Sequence, residues 1–182
     1  YAAHRGKKVL LVEKKCLGGT CLNVGCIPTK TFLYAGKMYH YASGAGEAYG
    51  VTAEGAVHVD QAAVVAKKDE VVKMLVQGVG SALRRSKVKV VNGTAKLGRL
   101  DGKSAVFVGE ETYTAENLIL ATGSTPAVPP IEGVKEGMAD GTVMTSDEIL
   151  DMKEIPKKLL VVGGGVIGFE MAAYFQEVGT KV

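Results

Sequence analysis

The chain has 182 residues, 47% of them hydrophobic and 23% charged, with a formal net charge of +3. That balance supports one ordinary folded domain or two small ones, and it excludes a disordered chain. The charge is too small and too evenly spread for a nucleic-acid or membrane footprint. Three cysteines (Cys16, Cys21 and Cys26) are too few, and odd in number, for a secreted disulfide scaffold, so the cytosol is the expected compartment.

The opening "YAAHRGKKVLLVEK" reads as the end of a helix stopped at Gly6, then a buried parallel strand "VLLV" closed by Glu13. Residues 28 to 42 read as a helix with Pro28 near its first turn. From Asp60 to Arg85, Val64, Val65, Val71, Val72, Leu75, Val76 and Val79 recur at helical spacing. Asp60 is placed to cap that helix, and Gly78 and Gly80 weaken its last turns. "VKVVNGTAKL", "SAVFVG" and "ETYTAENLILATG" read as short strands, and the proline-rich "STPAVPPIEG" as a connector. "SDEILDM" is a short capped helix. The last stretch, "IPKKLLVVGGGVIGFEMAAYFQEVGTKV", reads as strand, glycine turn, helix, glycine stop and a further strand. Its apolar run is broken by glycines and a glutamate, so it does not read as membrane-spanning.

Gly163, Gly165 and Gly168 form a G-x-G-x-x-G set between an apolar run and a helix. In that context the pattern is a dinucleotide-binding signal. It provides a tight turn, close backbone approach to a pyrophosphate, and close packing of helix on strand. The alternative is a glycine turn with no ligand. The acid expected about 20 residues later, which would hold a ribose, falls beyond Val182. Glu13 also ends an apolar run, but no glycine turn precedes it; by itself it reads first as solvated surface.

Residues 18 to 30, "GGTCLNVGCIPTK", set two thiols five positions apart. Regular helix would separate Cys21 and Cys26 by about 7.5 Å along its axis, so a bridge needs an irregular backbone. Asn23 and Gly25 allow one. So short a loop gains about 2 kcal/mol as a staple before strain, and a weakly stabilising, strained bridge is easily reduced. That is the profile of a catalytic disulfide. Two alternatives remain: inert thiols, and zinc, for which neither His4 nor His40 sits at ligand spacing. Cys16 fits no partner.

"GGTCLNVGCIPTK" closely resembles the redox-active segment of the flavoprotein disulfide reductases, and within them the dihydrolipoamide dehydrogenases. "LLVEK", the long helix, "VVNGTAKL", "LILATGS" and "GGGVIGFE" follow in the family's order. The resemblance implies an α/β protein of two Rossmann-like dinucleotide-binding folds, FAD over residues 1–145 and the start of an NAD fold over 146–182. It implies that Glu13 holds the FAD ribose, that Gly18, Gly19 and Thr20 line the flavin's phosphates, and that Gly93 approaches the adenine. Ala121, Thr122, Gly123 and Ser124 would pass the diphosphate. Cys26 would be the flavin-facing thiol and Cys21 the interchange thiol. Lys30 would sit near the flavin, in a buried pair with Glu170. Gly163, Gly165, Val166, Ile167 and Gly168 would hold the nicotinamide cofactor, and no metal is implied.

The implied reaction oxidises dihydrolipoamide, carried on a lipoyl protein of a 2-oxo acid dehydrogenase or glycine cleavage system, and reduces NAD. The resemblance also implies a homodimer in the full-length protein. A reductase of the same family for glutathione or mercuric ion is the near alternative, and a non-catalytic remnant of the fold the distant one. The family's first FAD glycine turn and its C-terminal interface domain, with an acid–base His–Glu pair, are not in the sequence. The chain therefore reads as an internal piece, not expected to turn over alone.

Overall fold

The computed structural model describes residues 1–182. In chain order it contains β1 (Leu10–Glu13), α1 (Gly19–Val24), α2 (Cys26–Ala42), α3 (Gln61–Arg85), β2 (Lys89–Asn92), β3 (Ala95–Leu100), β4 (Lys103–Val108), β5 (Glu111–Ala115), α4 (Val134–Asp140) and α5 (Val166–Glu177). Short 3-10 turns lie at Ala3–Arg5, Ala45–Tyr49 and Glu148–Asp151. No helix is long and apolar enough to cross a membrane. The chain divides into two compact units, Tyr1–Gly19 with Met74–Ser124, and Thr20–Lys73 with Thr125–Val182. The helix α3 contributes to both.

In the first unit, Gly6 ends the opening turn with φ 77° and donates its N–H to the Ala3 carbonyl. β1 and β2 pair in parallel, with Leu10 opposite Lys89 and Glu13 opposite Asn92. β3, β4 and β5 form a separate antiparallel meander with β4 central. Ala105, Val106 and Val108 on β4 are its buried residues. "VLLV" is half-buried and not fully buried as expected, because β2 is its only neighbour in the sheet.

Two expected strands do not form. Beyond β5, residues 118–124 belong to no strand, and Leu118, Ile119 and Leu120 are exposed. "LLVV" likewise stays outside any sheet, apart from a single parallel bridge between the preceding Lys158 and Lys181. Both runs have the composition of buried parallel strands. A strand, however, exists through its ladder of inter-strand hydrogen bonds; residues 118–124 have no such ladder, and beside "LLVV" it is limited to Leu159 N–H on the Lys181 carbonyl at 2.9 Å.

The second unit holds the larger core: Phe32, Val65, Leu150, Met171, Tyr174, Phe175 and Val178. α2 buries Pro28, Thr29, Phe32 and Gly36, and α5 buries Met171, Tyr174, Phe175 and, just past its end, Val178. Both sets follow the three- and four-residue spacing of one helix face. The Phe32 and Tyr174 rings lie 4.9 Å apart at a tilt of 41°. Asp60 caps α3 as expected, accepting the Ala63 N–H at 3.0 Å, and the helix continues through Gly78 and Gly80 to Arg85. The expected helix in "SDEILDM" is the 3-10 turn Glu148–Asp151, which buries Leu150.

Polar groups inside this core are partnered. The Tyr174 hydroxyl donates to Gln61 Oε1, and Gln61 Nε2 donates to the Met152 carbonyl at 3.1 Å. This chain ties α5 and α3 to the segment that follows the 3-10 turn. Lys68 is buried, with its ammonium 2.6 Å from Asp151 and 2.7 Å from Asp69. Burial alone would lower its pKa, but the hydrogen bonds and charges of the two carboxylates outweigh this and raise it. Burial also pushes the Tyr174 hydroxyl up to about 12, against the smaller opposing effect of its bond to Gln61.

Both Lys68 and Tyr174 hold their protons more tightly folded than unfolded. Their contribution is complete below the ordinary lysine and tyrosine pKa values near 10; that of Tyr174 is lost as pH rises to about 12, and that of Lys68 as pH rises through its raised pKa. The urea midpoint should therefore fall between pH 10 and 12. Tyr174→Phe should flatten part of that fall, while costing about 1–3 kcal/mol at neutral pH by leaving buried Gln61 Oε1 without its donor. A urea midpoint that stays level to pH 12 would contradict this reading.

Candidate active site

The two thiols are placed by a helix that breaks. α1 ends at Val24 and α2 begins at Cys26, with Gly25 between them at φ −133°, ψ −116°. A Cβ on Gly25 would lie 2.9 Å from the Thr20 carbonyl oxygen, so this bend needs a residue without a side chain. The break brings the Cα atoms of Cys21 and Cys26 to 4.6 Å, and the two are joined in a disulfide. The helical turn over Gly19–Val24 was not legible in the sequence, and α2 starts two residues before the expected 28. Pro28 is the third residue of α2, where its missing N–H removes no helical bond; the first bond is Thr29 N–H to the Gly25 carbonyl at 3.1 Å. Cys21 and Cys26 are both exposed, so a thiolate from solution can reach the bridge. Cys16 is a free, exposed thiol outside the pair.

Four residues into α2, the Lys30 ammonium pairs with the Glu170 carboxylate of α5. Ten residues along α2, His40 Nδ1 meets Glu177 Oε1 at 2.7 Å. Partners ascend together on both helices, so α2 and α5 run parallel and their N-termini lie at the same end. The disulfide at the start of α2 and the glycine turn at the start of α5 therefore share one end of this helix pair. The Lys30–Glu170 pair is not buried as expected: its side chains are 60% and 24% exposed. It lies where the two helices emerge from their shared core, and water solvates the lysine.

The glycine turn has the features its spacing predicts. Gly163 has φ 117°, and a Cβ on Gly168 would lie 2.8 Å from the Gly163 carbonyl oxygen and 3.1 Å from Val161 Cγ1. Gly168 is thus where α5 presses against the preceding segment. Gly165 caps α5 with extended backbone, nothing stands where its Cβ would be, and no side chain bonds the first turn. The helix's own bonding starts with Phe169 N–H to the Gly165 carbonyl at 3.1 Å. The N–H groups of Val166 and Ile167 precede it, on an exposed turn. Open backbone donors at the positive end of a twelve-residue helix fit the phosphates of a dinucleotide.

In the first unit, Glu13 accepts the Lys15 N–H on Oε1 at 2.8 Å, and its carbonyl accepts the Gly93 N–H at 2.9 Å. That bond carries the ladder one residue past β2, beside the acid proposed to meet a ribose. Gly93 has φ 151°, and a Cβ there would lie 2.5 Å from Val108 Cγ1, so local packing alone requires glycine. Gly18 and Gly19 both have positive φ, at 103° and 65°, and lead into α1, whose second residue is the exposed Thr20. Ala121, Thr122, Gly123 and Ser124 lie on an exposed stretch without regular structure. Glycine backbone at 18–19 and the small, exposed side chains of 121–124 fit a phosphate-bearing cofactor.

Several polar residues of the second unit escaped the sequence reading: Gln61, Lys68, Asp151, His40 and Glu177. Their partners are 83 to 137 residues away along the chain, and no local spacing announces such pairs. One signal was present. Glu170, Tyr174 and Glu177 recur at helical spacing, which puts two acids and an aromatic on a single face of α5.

Residues 1–182 match the family described as pyridine nucleotide-disulphide oxidoreductase. The chain is 46% identical over 181 residues to a dihydrolipoyl dehydrogenase of Acholeplasma laidlawii, covering all of this chain and 53% of that one. It is 41% identical over 182 residues to a dihydrolipoyl dehydrogenase of Mycoplasma genitalium, covering all of this chain and 39% of the relative. Against one of Bacillus subtilis the identity is 43% over 184 residues, covering all of this chain and 37% of the relative. The chain thus spans about half the length, or less, of the curated relatives it matches. Among solved structures, the Cu(II) complex of the HOCl-induced flavoprotein disulfide reductase RclA from Escherichia coli superposes with a TM-score of 0.79 at 30% identity, covering 99% of this chain and 36% of that one. With its motif, its bridged thiols and its α/β architecture all in agreement, the chain belongs to the pyridine nucleotide-disulphide oxidoreductase family.

Proposed function

We propose that this chain is the redox-disulfide portion of a dihydrolipoyl dehydrogenase, an FAD-dependent enzyme that oxidises dihydrolipoamide and reduces NAD. The observation that carries the proposal is the exposed Cys21–Cys26 disulfide, held at the same end of the helix pair as the glycine turn of α5. The names of the relatives point to the lipoyl substrate, and the family to the electron carriers. In the assembled enzyme the substrate would arrive on a lipoyl carrier protein of a 2-oxo acid dehydrogenase or glycine cleavage system. The enzyme would act as a cytosolic homodimer.

The thiol chemistry follows from the bridge. One thiolate of the substrate attacks Cys21 Sγ, forming a mixed disulfide and releasing Cys26 as thiolate. The second substrate thiol then attacks its own bridged sulfur, closing the cyclic disulfide product and releasing Cys21. Two electrons and two protons leave the substrate, and the protein holds a reduced pair. Cys26 begins α2, where the helix dipole favours its thiolate as leaving group. Lys30, one turn on along α2, adds a cation, and Glu170 holds that cation in place.

FAD, when bound, supplies a two-electron carrier that receives the pair from the thiols and passes it to the nicotinamide as hydride. In the first unit, Glu13, Gly18, Gly19, Gly93 and Ala121 to Ser124 are the residues proposed to hold it. In the second, Thr20 belongs with them, while Gly163, Gly165, Val166, Ile167 and Gly168 are proposed to hold the nicotinamide cofactor's phosphates. Gly168 leans toward NAD, since relatives that use NADP often carry alanine at that third position.

Replacing either Cys21 or Cys26 with serine in the full-length enzyme should abolish dihydrolipoamide oxidation while leaving FAD bound, checked by flavin absorbance and turnover. Retained turnover in either variant would refute the assignment. Steady-state kinetics should favour NAD over NADP; a tenfold preference for NADP, about 1.4 kcal/mol, would reverse that choice.

A further inference from the structure

Phe32 against Tyr174 brings α2 and α5 together, but an apolar contact is non-directional and leaves the helices free to slide and rotate in small steps. Something has to fix their register. At the Cys26 end, the Lys30–Glu170 pair is largely solvated on its lysine side and is a weak anchor alone. The second anchor is at the far end. A Cβ on Gly36 would lie 3.2 Å from Tyr174 Cδ2 and 3.8 Å from Glu177 Cβ, so α5 rests directly on the α2 backbone there. One turn further on, His40 Nδ1 donates to Glu177 Oε1 at 2.7 Å. These groups line a cavity of about 220 Å³ whose walls also include Leu33, Lys37 and Tyr41.

We propose that Gly36, His40 and Glu177 are positioning residues that fix the register of α2 on α5 and so set the Lys30–Glu170 pair beside Cys26. Gly36 sets how closely the helices approach, and His40 with Glu177 sets where along their length they meet. The two polar contacts are spaced ten residues apart on α2 and seven on α5, about 15 Å and 10.5 Å of rise. Two separated contacts between stiff rods fix an alignment that one contact cannot. The consequence is that residues about 20 Å of helix away from the disulfide control the geometry at the thiol end. This inference rests on the proposed function only for its kinetic consequence; the register itself does not depend on it.

A zero-length carbodiimide cross-link between the Lys30 amine and the Glu170 carboxylate reads the register directly, in protein with or without flavin, with the linked peptides mapped by mass spectrometry. His40→Gln and Glu177→Gln should each lower the cross-link yield about fivefold, the equivalent of about 1 kcal/mol. His40→Arg keeps a donor that reaches Glu177, is itself inert to the reagent, and should restore the yield. Gly36→Leu should lower it further by wedging Tyr174 away. In full-length flavin-loaded enzyme, His40→Gln should slow flavin reduction by dihydrolipoamide about fivefold and leave flavin reoxidation by NAD within twofold, a split that general loss of stability would not produce. Cross-link yields within twofold of wild type in both His40→Gln and Gly36→Leu would overturn the inference. A wild-type enzyme whose flavin dihydrolipoamide does not reduce would overturn the proposed function and leave the cross-link result standing.

Discussion

The parallel packing of α2 on α5 is the contact on which the rest of the candidate site depends. α2 begins with a redox thiol and α5 with a phosphate-binding turn. In an antiparallel pair the two would lie at opposite ends of the helices, over 15 Å apart along the axis. Parallel packing places both chemistries at one end. What holds it is ordinary core physics: Phe32, Tyr174 and Phe175 are fully buried, and Met171 and Val178 extend the same α5 face. Burying aromatic side chains of this size contributes a few kcal/mol each, far more than either exposed ion pair across the helices. The apolar face supplies the affinity, and the polar pairs at its two ends supply direction.

The polar groups within that core follow the same division. Tyr174 is almost wholly buried, and its hydroxyl would be costly if left unpaired. Gln61 satisfies it and is itself satisfied by the Met152 carbonyl, so one buried relay joins α5, α3 and the segment entering the glycine turn. Lys68 repeats the pattern on the next two turns of α3, with Asp151 as its partner from the 3-10 turn. Two ties from α3 thus hold the 3-10 turn at Asp151 and the Met152 that follows it.

Helices and their ends were legible in the sequence wherever the signal was local. Asp60 before an apolar period, Gly6 after a basic turn and Gly168 at the third position of its motif each carry their physical cause within a few residues. The thiol pair was legible because its spacing conflicts with regular helix, and that conflict implies a break at Gly25. What stayed hidden was of two kinds. Strand identity in "LILATG" and "LLVV" could not be settled from composition, because a strand is completed by a paired neighbour and neither run has a strand paired along it. Long-range polar pairs such as His40–Glu177 have no local signature, since each residue by itself reads as a solvated helix side chain. The expected burial of Lys30 and Glu170 failed for a related reason: charge pairing was inferable from the motif, but the surface on which the pair sits was not.

The weakness of the Cys21–Cys26 bridge as a staple is consistent with the way the fold is built around it. Closing so short a loop restricts the unfolded chain by only about 2 kcal/mol, a small share of the stability of an ordinary domain. The face formed by Phe32, Tyr174 and Phe175 is made by residues outside the disulfide loop, and of the loop itself Val24 packs against it. The hinge at Gly25 lies between the two helices, and its carbonyl accepts the first bond of α2 from Thr29 N–H at 3.1 Å. A disulfide placed inside the core would have to break packing each time it was reduced. Here the bond is exposed at a helix terminus, next to a glycine break, and the work of holding α2 in place is assigned to residues one to four turns away. The buried residues that hold α2 and the exposed bridge that carries the redox chemistry thereby occupy different turns of a single helix.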